Sequence, residues 1–196
     1  MLIIDNLLNN KEMISTLKND NTWKDFPTLN WWDGWWVTKP RNIMEQLIEI
    51  IWKRFPDIIK VAGFEYWSNL HVTNGNQDWH FDKDEKYYSE TKKYTVPFLG
   101  HIYYVENLNV NGGYLEISNL PNSEKPDLTK IERIYPTENR LVIHNPTQIH
   151  RVTEVLSGKR RAFLANTWIK KPSTFDNAEN VDGKNFEEVS WPNKFK

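Results

Sequence analysis

The sequence predicts a mainly β fold of the α+β class, with helices ahead of an antiparallel sandwich or barrel. Three observations carry this. Residues 58–169 fall into roughly seven strand-length apolar segments, separated by turn signals such as Asn74-Gly75-Asn76 and Gly112-Gly113. The clearest helical periodicity, Ile43, Met44, Leu47, Ile48, Ile51 and Trp52, lies before them. No internal repeat and no linker divides the 196 residues, a length that suits one domain with a good core. The expected layout is an N-terminal helical support over about 1–57, a β core over about 58–170 and a tail over 171–196.

Residues 2–8 read as a short strand. Asn9 or Asn10 can cap a helix running to about Asn19, with Met13, Ile14 and Leu17 on one face. Residues 20–40 are irregular and hold five of the ten tryptophans: Trp23, Trp31, Trp32, Trp35 and Trp36. Thr38-Lys39-Pro40 opens a helix over about 41–54 that packs its apolar face on a sheet, and Pro56 stops it. A β-rich stretch over 58–74 follows, then strands over 79–82, 94–106, 114–118, 131–135, 140–144, 150–155 and 161–169. The highly charged segment 83–93 reads as a loop, 107–113 as a turn, and 119–130, with Pro121 and Pro126, as a loop. In the tail, Phe175, Phe186, Trp191 and Phe195 are the residues that can pin it to the body.

Composition removes several function classes. With no cysteine there is no disulfide, no thiolate metal site and no cysteine nucleophile. Net charge is −1 with acids and bases interspersed, so no basic stripe points to nucleic acid. The N-terminus Met1-Leu2-Ile3-Ile4-Asp5 lacks the regions of a signal peptide, and no apolar run is long enough to span a membrane, so the expected compartment is cytoplasmic.

The chemistry-bearing stretch is Trp79-His80-Phe81-Asp82. His80 and Asp82 are two residues apart, so on an extended strand both point to one side, where an imidazole nitrogen and a carboxylate oxygen can reach one metal ion. A third ligand is sought among the other histidines, His71, His101, His144 and His150. His144 sits inside an alternating strand pattern. His150 opens the next strand after Asn145-Pro146-Thr147-Gln148, a better place from which to reach across to a facing strand. Ser157-Gly158-Lys159 reads as a turn, and beyond it, ten residues after His150 and on the neighbouring strand, comes Arg160, a planar permanent cation suited to the carboxylate of a small diacid.

This ordered set, His80-x-Asp82, His150 and Arg160, resembles the iron(II)- and 2-oxoglutarate-dependent oxygenases, and within them the prolyl-4-hydroxylase-like group. The flanking sequence agrees: 95–104 followed by Gly112-Gly113-Tyr114-Leu115 is similar to that group's strand and Gly-Gly element, and Arg140-Leu141-Val142-Ile143-His144-Asn145-Pro146 to its strand before the distal histidine. The resemblance covers roughly 60–170. It implies a double-stranded β-helix (jelly-roll) core and a metal held by His80, Asp82 and His150. Two histidines and one carboxylate leave three open positions, the arrangement of non-haem Fe(II) oxygenases, whereas zinc is more often held by three or four ligands with at most one position open.

The resemblance further implies 2-oxoglutarate as cosubstrate and O2 as oxidant, with the distal carboxylate of 2-oxoglutarate on Arg160. Arg161 is the rival; alternation allows only one of the two to point inward, and spacing from His150 favours Arg160. Asn69 and His71 resemble the Asn-x-Tyr of nucleic-acid alkylation-repair oxygenases, with histidine in place of tyrosine, and are candidates for the same ligand. Tyr103 and His101 share one face of the central strand and can line the same cavity. Substrate contacts are expected from Trp79, from Tyr87 in the charged segment, and from Trp35 in the tryptophan cluster, which reads as core, as an entrance wall or as a sugar-stacking platform. The expected activity is hydroxylation of an unactivated C–H bond in a peptide or small-molecule substrate. Peptidyl proline comes first by family analogy, then a free amino acid or small metabolite, with no nucleic acid and no membrane involved. The competing reading of another class is a non-catalytic carbohydrate-binding jelly-roll that uses the tryptophans; such a module would need neither the ligand set nor Arg160.

Overall fold

The computed structural model describes residues 1–54, 61–121, 123 and 125–175. Strand β1 (Leu2–Ile4) leads into helix α1 (Lys11–Lys18), whose first turn is capped by Asn10 accepting from Met13 N at 3.1 Å. A turn of 3-10 helix (Asp20–Trp23) and strand β2 (Asn30–Trp32) organise the stretch expected to be irregular. Helix α2 (Ile43–Trp52) starts later than expected because Asn42 takes the cap. The Asn42 side chain accepts from Glu45 N at 2.9 Å, and Glu45 reaches back to Arg41 N at 2.6 Å. Met44, Leu47, Ile48, Ile51 and Trp52 are buried, so the periodicity is the core face; burying one such side chain contributes roughly 1.5–3 kcal/mol. The expected stop at Pro56 and the strand start at Ile58 lie outside the described residues, as do the tail anchors Phe186, Trp191 and Phe195.

The remaining strands are β3 (Gly63–Val72), β4 (Gln77–His80), β5 (Leu99–Gly112), β6 (Leu115–Pro121), β7 (Ile131–Ile134), β8 (Arg140–His144), β9 (Gln148–Val152) and β10 (Val155–Trp168). They form a major sheet in the order β1-β8-β5-β10-β3-β2 and a minor sheet in the order β4-β9-β6-β7, paired antiparallel throughout. One core lies between α1, α2 and the outer face of the major sheet, with Phe64, Tyr66, Tyr103, Leu141 and Phe163 contributed by strands. A second, including Ile102, Tyr104, Leu115, Ile117 and Val142, lies between the two sheets. The major sheet is therefore covered on both faces, so its strands are apolar on both.

Three expectations change. The charged segment 83–93 contains helix α3 (Glu85–Thr91), capped by Asp84 accepting from Tyr87 N at 3.0 Å and ended by Lys92 at φ 59°. None of its residues is buried, so no apolar period announces it. The expected turn over 107–113 is mostly strand, because β5 continues to Gly112 against β10. Ser157-Gly158-Lys159 is not a hairpin turn but an irregularity inside β10, where the register against β5 shifts and Gly158 takes φ 85°.

Candidate metal centre and anion pocket

The minor sheet delivers the ligand set. His80 ends β4 and pairs directly with His150 on β9. Asp82 follows just beyond the strand, with its backbone N bonded to Pro146 O at 3.3 Å. One ligand atom from each of His80, Asp82 and His150 lies within 4.8 Å of the others. His80 Nδ1 is 2.7 Å from Asp78 O and His150 Nδ1 is 2.9 Å from Gln148 O, so each Nδ1 carries the proton and each Nε2 keeps a lone pair for a metal, that of His80 being met here by the Gln77 amide at 3.1 Å. Burial opposes ionisation of Asp82, but the imidazoles of His150, His80 and His144 and a hydrogen bond from Asn166 outweigh it and hold the carboxyl below its usual range. Two imidazoles and a carboxylate gathered at one point are a donor set for a divalent transition metal.

The inner face of the major sheet forms the cavity wall opposite. Its strands are in register, so inward residues form successive rungs. The rung nearest Asp82 is Glu65, Asn166, Gly100 and His144 on β3, β10, β5 and β8. Next come Trp67, Leu164, Ile102 and Val142, then Asn69, Ala162 and Tyr104, and finally His71 beside Arg160. A cavity runs along these rungs, lined by the ligand set, Trp67, Leu164, Ile102 and, at its far end, Arg160.

Arg160 is 2% exposed. Its Nη1 donates to Gly113 O at 3.2 Å and its guanidinium lies 5.0 Å from the Tyr104 ring centre. Burial lowers its affinity for the proton, and no carboxylate faces it among the described residues. Gly113, at φ 62°, brings that carbonyl in; a Cβ there would come within 3.1 Å of Arg160 Cδ. Among the described residues, three buried polar atoms at this end lack any hydrogen-bond partner: Arg160 Nε, the Tyr104 hydroxyl and His71 Nε2. Burial, with the charge of Arg160, pushes His71 down to about 4, so it is neutral at pH 7. A buried cation and a buried phenol left unpaired are costly, and one carboxylate would satisfy both. The residues present thus fit a metal at one end of the cavity and an organic anion at the other.

The sequence model of the 2OG-Fe(II) oxygenase superfamily matches residues 67–170, which span the ligand set and Arg160. The chain belongs to this superfamily. It is a 2-oxoglutarate-dependent dioxygenase, and the family's Fe(II), 2-oxoglutarate and O2 are its cofactor, cosubstrate and oxidant. A search of curated proteins by sequence gives no match. Solved structures share the fold, a double-stranded β-helix. A Pseudomonas putida prolyl-4-hydroxylase aligns at TM-score 0.56 and 13% identity over 87% of this chain and 88% of its own. A Trichoplax adhaerens prolyl hydroxylase in complex with a hypoxia inducible factor peptide aligns at 0.57 and 16% over 89% and 86%. HygX from Streptomyces hygroscopicus, with nickel and 2-oxoglutarate bound, aligns at 0.55 and 10% over 96% and 94%.

Within this oxygenase the expected site residues divide. His80, Asp82 and His150 converge, and Arg160 faces the cavity while Arg161 turns outward to Asp20 at 2.7 Å. Asn69 lines the cavity but its amide donates to Gln77 Oε1 at 3.3 Å, and Gln77 in turn contacts His80. Tyr103 faces the helices, not the cavity, and its hydroxyl donates to Asn139 Oδ1 at 2.9 Å. The imidazole of His101 stacks edge-on against Trp52 on the same helix side. Trp79 lies on the outer face of the minor sheet under Arg151, at 4.7 Å. Tyr87 sits half-buried on α3 rather than among the residues lining the cavity. Trp35 packs with Trp32, Trp36 and Phe64 behind the major sheet. The tryptophan cluster is thus mainly core: Trp32 is 1% exposed and only Trp36, at 46%, is open to solvent.

Sequence reasoning missed Tyr104, Asn166, Trp67 and Gln77. Asn166 had a usable signal: it lies an even number of residues from the inward-facing Arg160 on its own strand.

Proposed function

We propose that the chain holds Fe(II) with His80, Asp82 and His150, binds the distal carboxylate of 2-oxoglutarate with Arg160 and Tyr104, and hydroxylates a C–H bond of a peptidyl proline. The observation that carries the site assignment is the buried guanidinium without a counter-ion among the described residues, set at the far end of the cavity from the ligand set. Peptidyl proline is supported by the shared fold with two prolyl hydroxylases over most of each chain. When bound, iron and 2-oxoglutarate supply the oxidising power: oxidative decarboxylation gives succinate and CO2, one atom of O2 entering succinate and the other the substrate.

The chain's own residues do the positioning. Arg160 Nε and the Tyr104 hydroxyl donate to the distal carboxylate, and neutral His71 stands beside them. The Trp67–Leu164–Ile102 rung walls the middle of the cavity and keeps water from the cosubstrate's carbon chain. The Nδ1 bonds of His80 and His150 fix ring orientation, and Asp82 supplies the negative charge that a divalent ion requires. No side chain is needed as a general base.

The test is anaerobic addition of Fe(II) and 2-oxoglutarate, then air with prolyl peptides. A weak visible charge-transfer band and peptide-stimulated succinate release are expected, both absent in His80→Ala. A protein with no band and no succinate would overturn the site assignment. A band with succinate release that no prolyl peptide stimulates would overturn the substrate alone.

A further inference from the structure

The three ligands come from β4, β9 and the segment after β4, yet the rung nearest them belongs to the opposite sheet. That rung is polar and buried where a sheet interior is usually apolar: Asn166 is 3% and His144 2% exposed. Asn166 Nδ2 donates to Asp82 Oδ2 at 3.2 Å. Glu65 stands beside Asn166 in register, with its own Oε2 held by Trp168 Nε1 at 3.0 Å. On the other side, Gly100 leaves a gap that the His144 ring fills. A Cβ at Gly100 would lie 2.5 Å from His144 Nε2. The ring so placed meets His150 edge-to-face at 4.9 Å.

Resting on the metal-centre reading above, we infer that Asn166 is a positioning residue for Asp82 and that Glu65 acts through it. An ionised carboxylate has two equivalent oxygens and can rotate between one-oxygen and two-oxygen ligation. A donor fixed on Oδ2 ties that oxygen down and turns Oδ1 to the metal, keeping the coordination positions that cosubstrate and O2 need. An amide can itself flip, presenting oxygen instead of NH2 and repelling the carboxylate. Glu65, hydrogen-bonded to Asn166 and pushed up to about 7 by burial, prevents this in its ionised form, because only the NH2 of Asn166 is compatible with carboxylate oxygens on both sides. Glu65 is anchored by Trp168, so the chain Trp168–Glu65–Asn166–Asp82 sets the orientation from the rigid major sheet. His144 does the corresponding work for His150 by packing, and Gly100 is glycine because that ring occupies the place of its side chain.

The experiment measures Mn(II) affinity by competition titration, with the visible spectrum of the Co(II)-substituted protein as a second readout. Asn166→Leu keeps the volume and removes the donor. It should bind Mn(II) about tenfold to a hundredfold more weakly, with a changed Co(II) spectrum and unchanged metal-free melting temperature. Asn166→Gln, which retains an NH2, should recover part of the loss. Glu65→Leu should weaken binding as well, and the double variant should bind no more weakly than Asn166→Leu alone, since Glu65 acts only through Asn166. Should Asn166→Leu fail to fold, Asn166→Ser is read in its place. Full additivity of the two losses overturns the relay. Wild-type affinity and spectrum in Asn166→Leu overturn the positioning role. A wild-type protein that binds neither ion overturns the metal centre itself, and this inference with it.

Discussion

Arg160 and Arg161 are adjacent, chemically identical and both at most 6% exposed, yet alternation gives them different work. Arg161 faces out, against the Trp23 ring at 5.2 Å and Asp20 at 2.7 Å, so its charge is already matched. Arg160 faces in and its charge is not. Removing a charged hydrogen-bonding partner costs about 1.5–3 kcal/mol, which is tenfold or more in affinity. Arg160→Ala should therefore weaken 2-oxoglutarate binding at least tenfold, measured by titrating the charge-transfer band, while Mn(II) affinity stays within about twofold. Arg161→Ala should leave cosubstrate affinity alone and lower stability instead. Equal effects of the two on 2-oxoglutarate would show that the anion binds elsewhere. The same parity explains what could be read from sequence at this scale. The ligand set and Arg160 were legible because each sits in an ordered spacing. Tyr104 was not distinguished from Tyr103, because β5 is covered on both faces and carries no polar alternation to say which side holds the cavity.

Elements were legible where the apolar pattern is regular. In α2 one face is apolar and the other wet, and β8 and the middle of β10 are short continuous apolar runs of strands buried on both faces, so their positions follow from the pattern. α3 does not, because local capping makes it and tertiary contacts hold it. Asp84, 2% exposed, accepts from Tyr87 N, from Ser173 N at 2.5 Å and from Ser173 Oγ at 2.7 Å, so one carboxylate starts α3 and clasps the segment after β10. Phe175 packs against Trp31, ring centres 5.6 Å apart and planes tilted by 32°, and secures the same segment to β2. Asp84→Ala removes a helix cap and strands a buried N–H. A loss of about 2–4 kcal/mol in urea unfolding is expected, with faster hydrogen exchange at Ser173 and in α3. Exchange unchanged at Ser173 would mean the clasp does not hold the segment. Behind the sheet, Trp32→Ala should cost about 3–5 kcal/mol while 2-oxoglutarate affinity persists in the folded fraction, and Trp36→Ala should cost far less. A specific loss of activity in a stable Trp36→Ala protein would instead restore a substrate role for the cluster.

At the scale of the whole molecule, a sheet buried on both faces forces its polar residues to be neutral, paired or awaiting a ligand. His101 shows the cost away from the metal centre. It is 4% exposed and lines a small apolar pocket behind the sheet with Ile48, Ile51, Trp52 and Phe64. Burial pushes it down to about 4, although the bond from its Nδ1 to Ala165 O partly offsets this. In the unfolded chain the same imidazole titrates near 6.5. Between pH 6.5 and 4 the unfolded state therefore holds the extra proton. The stabilisation from keeping His101 neutral is full above pH 6.5 and is lost as pH falls toward 4. His71, lowered to about 4, and His144, lowered to about 3, act in the same direction, so wild-type stability should fall more steeply than one histidine would produce. The single-residue share is measurable. His101→Phe keeps a planar ring at this place and cannot take up a proton. In metal-free protein, the stability lost between pH 7 and pH 5 should be smaller in this variant than in wild type by about 2 kcal/mol. Urea unfolding at the two pH values reads it directly, and equal losses would show that His101 is protonated as easily folded as unfolded.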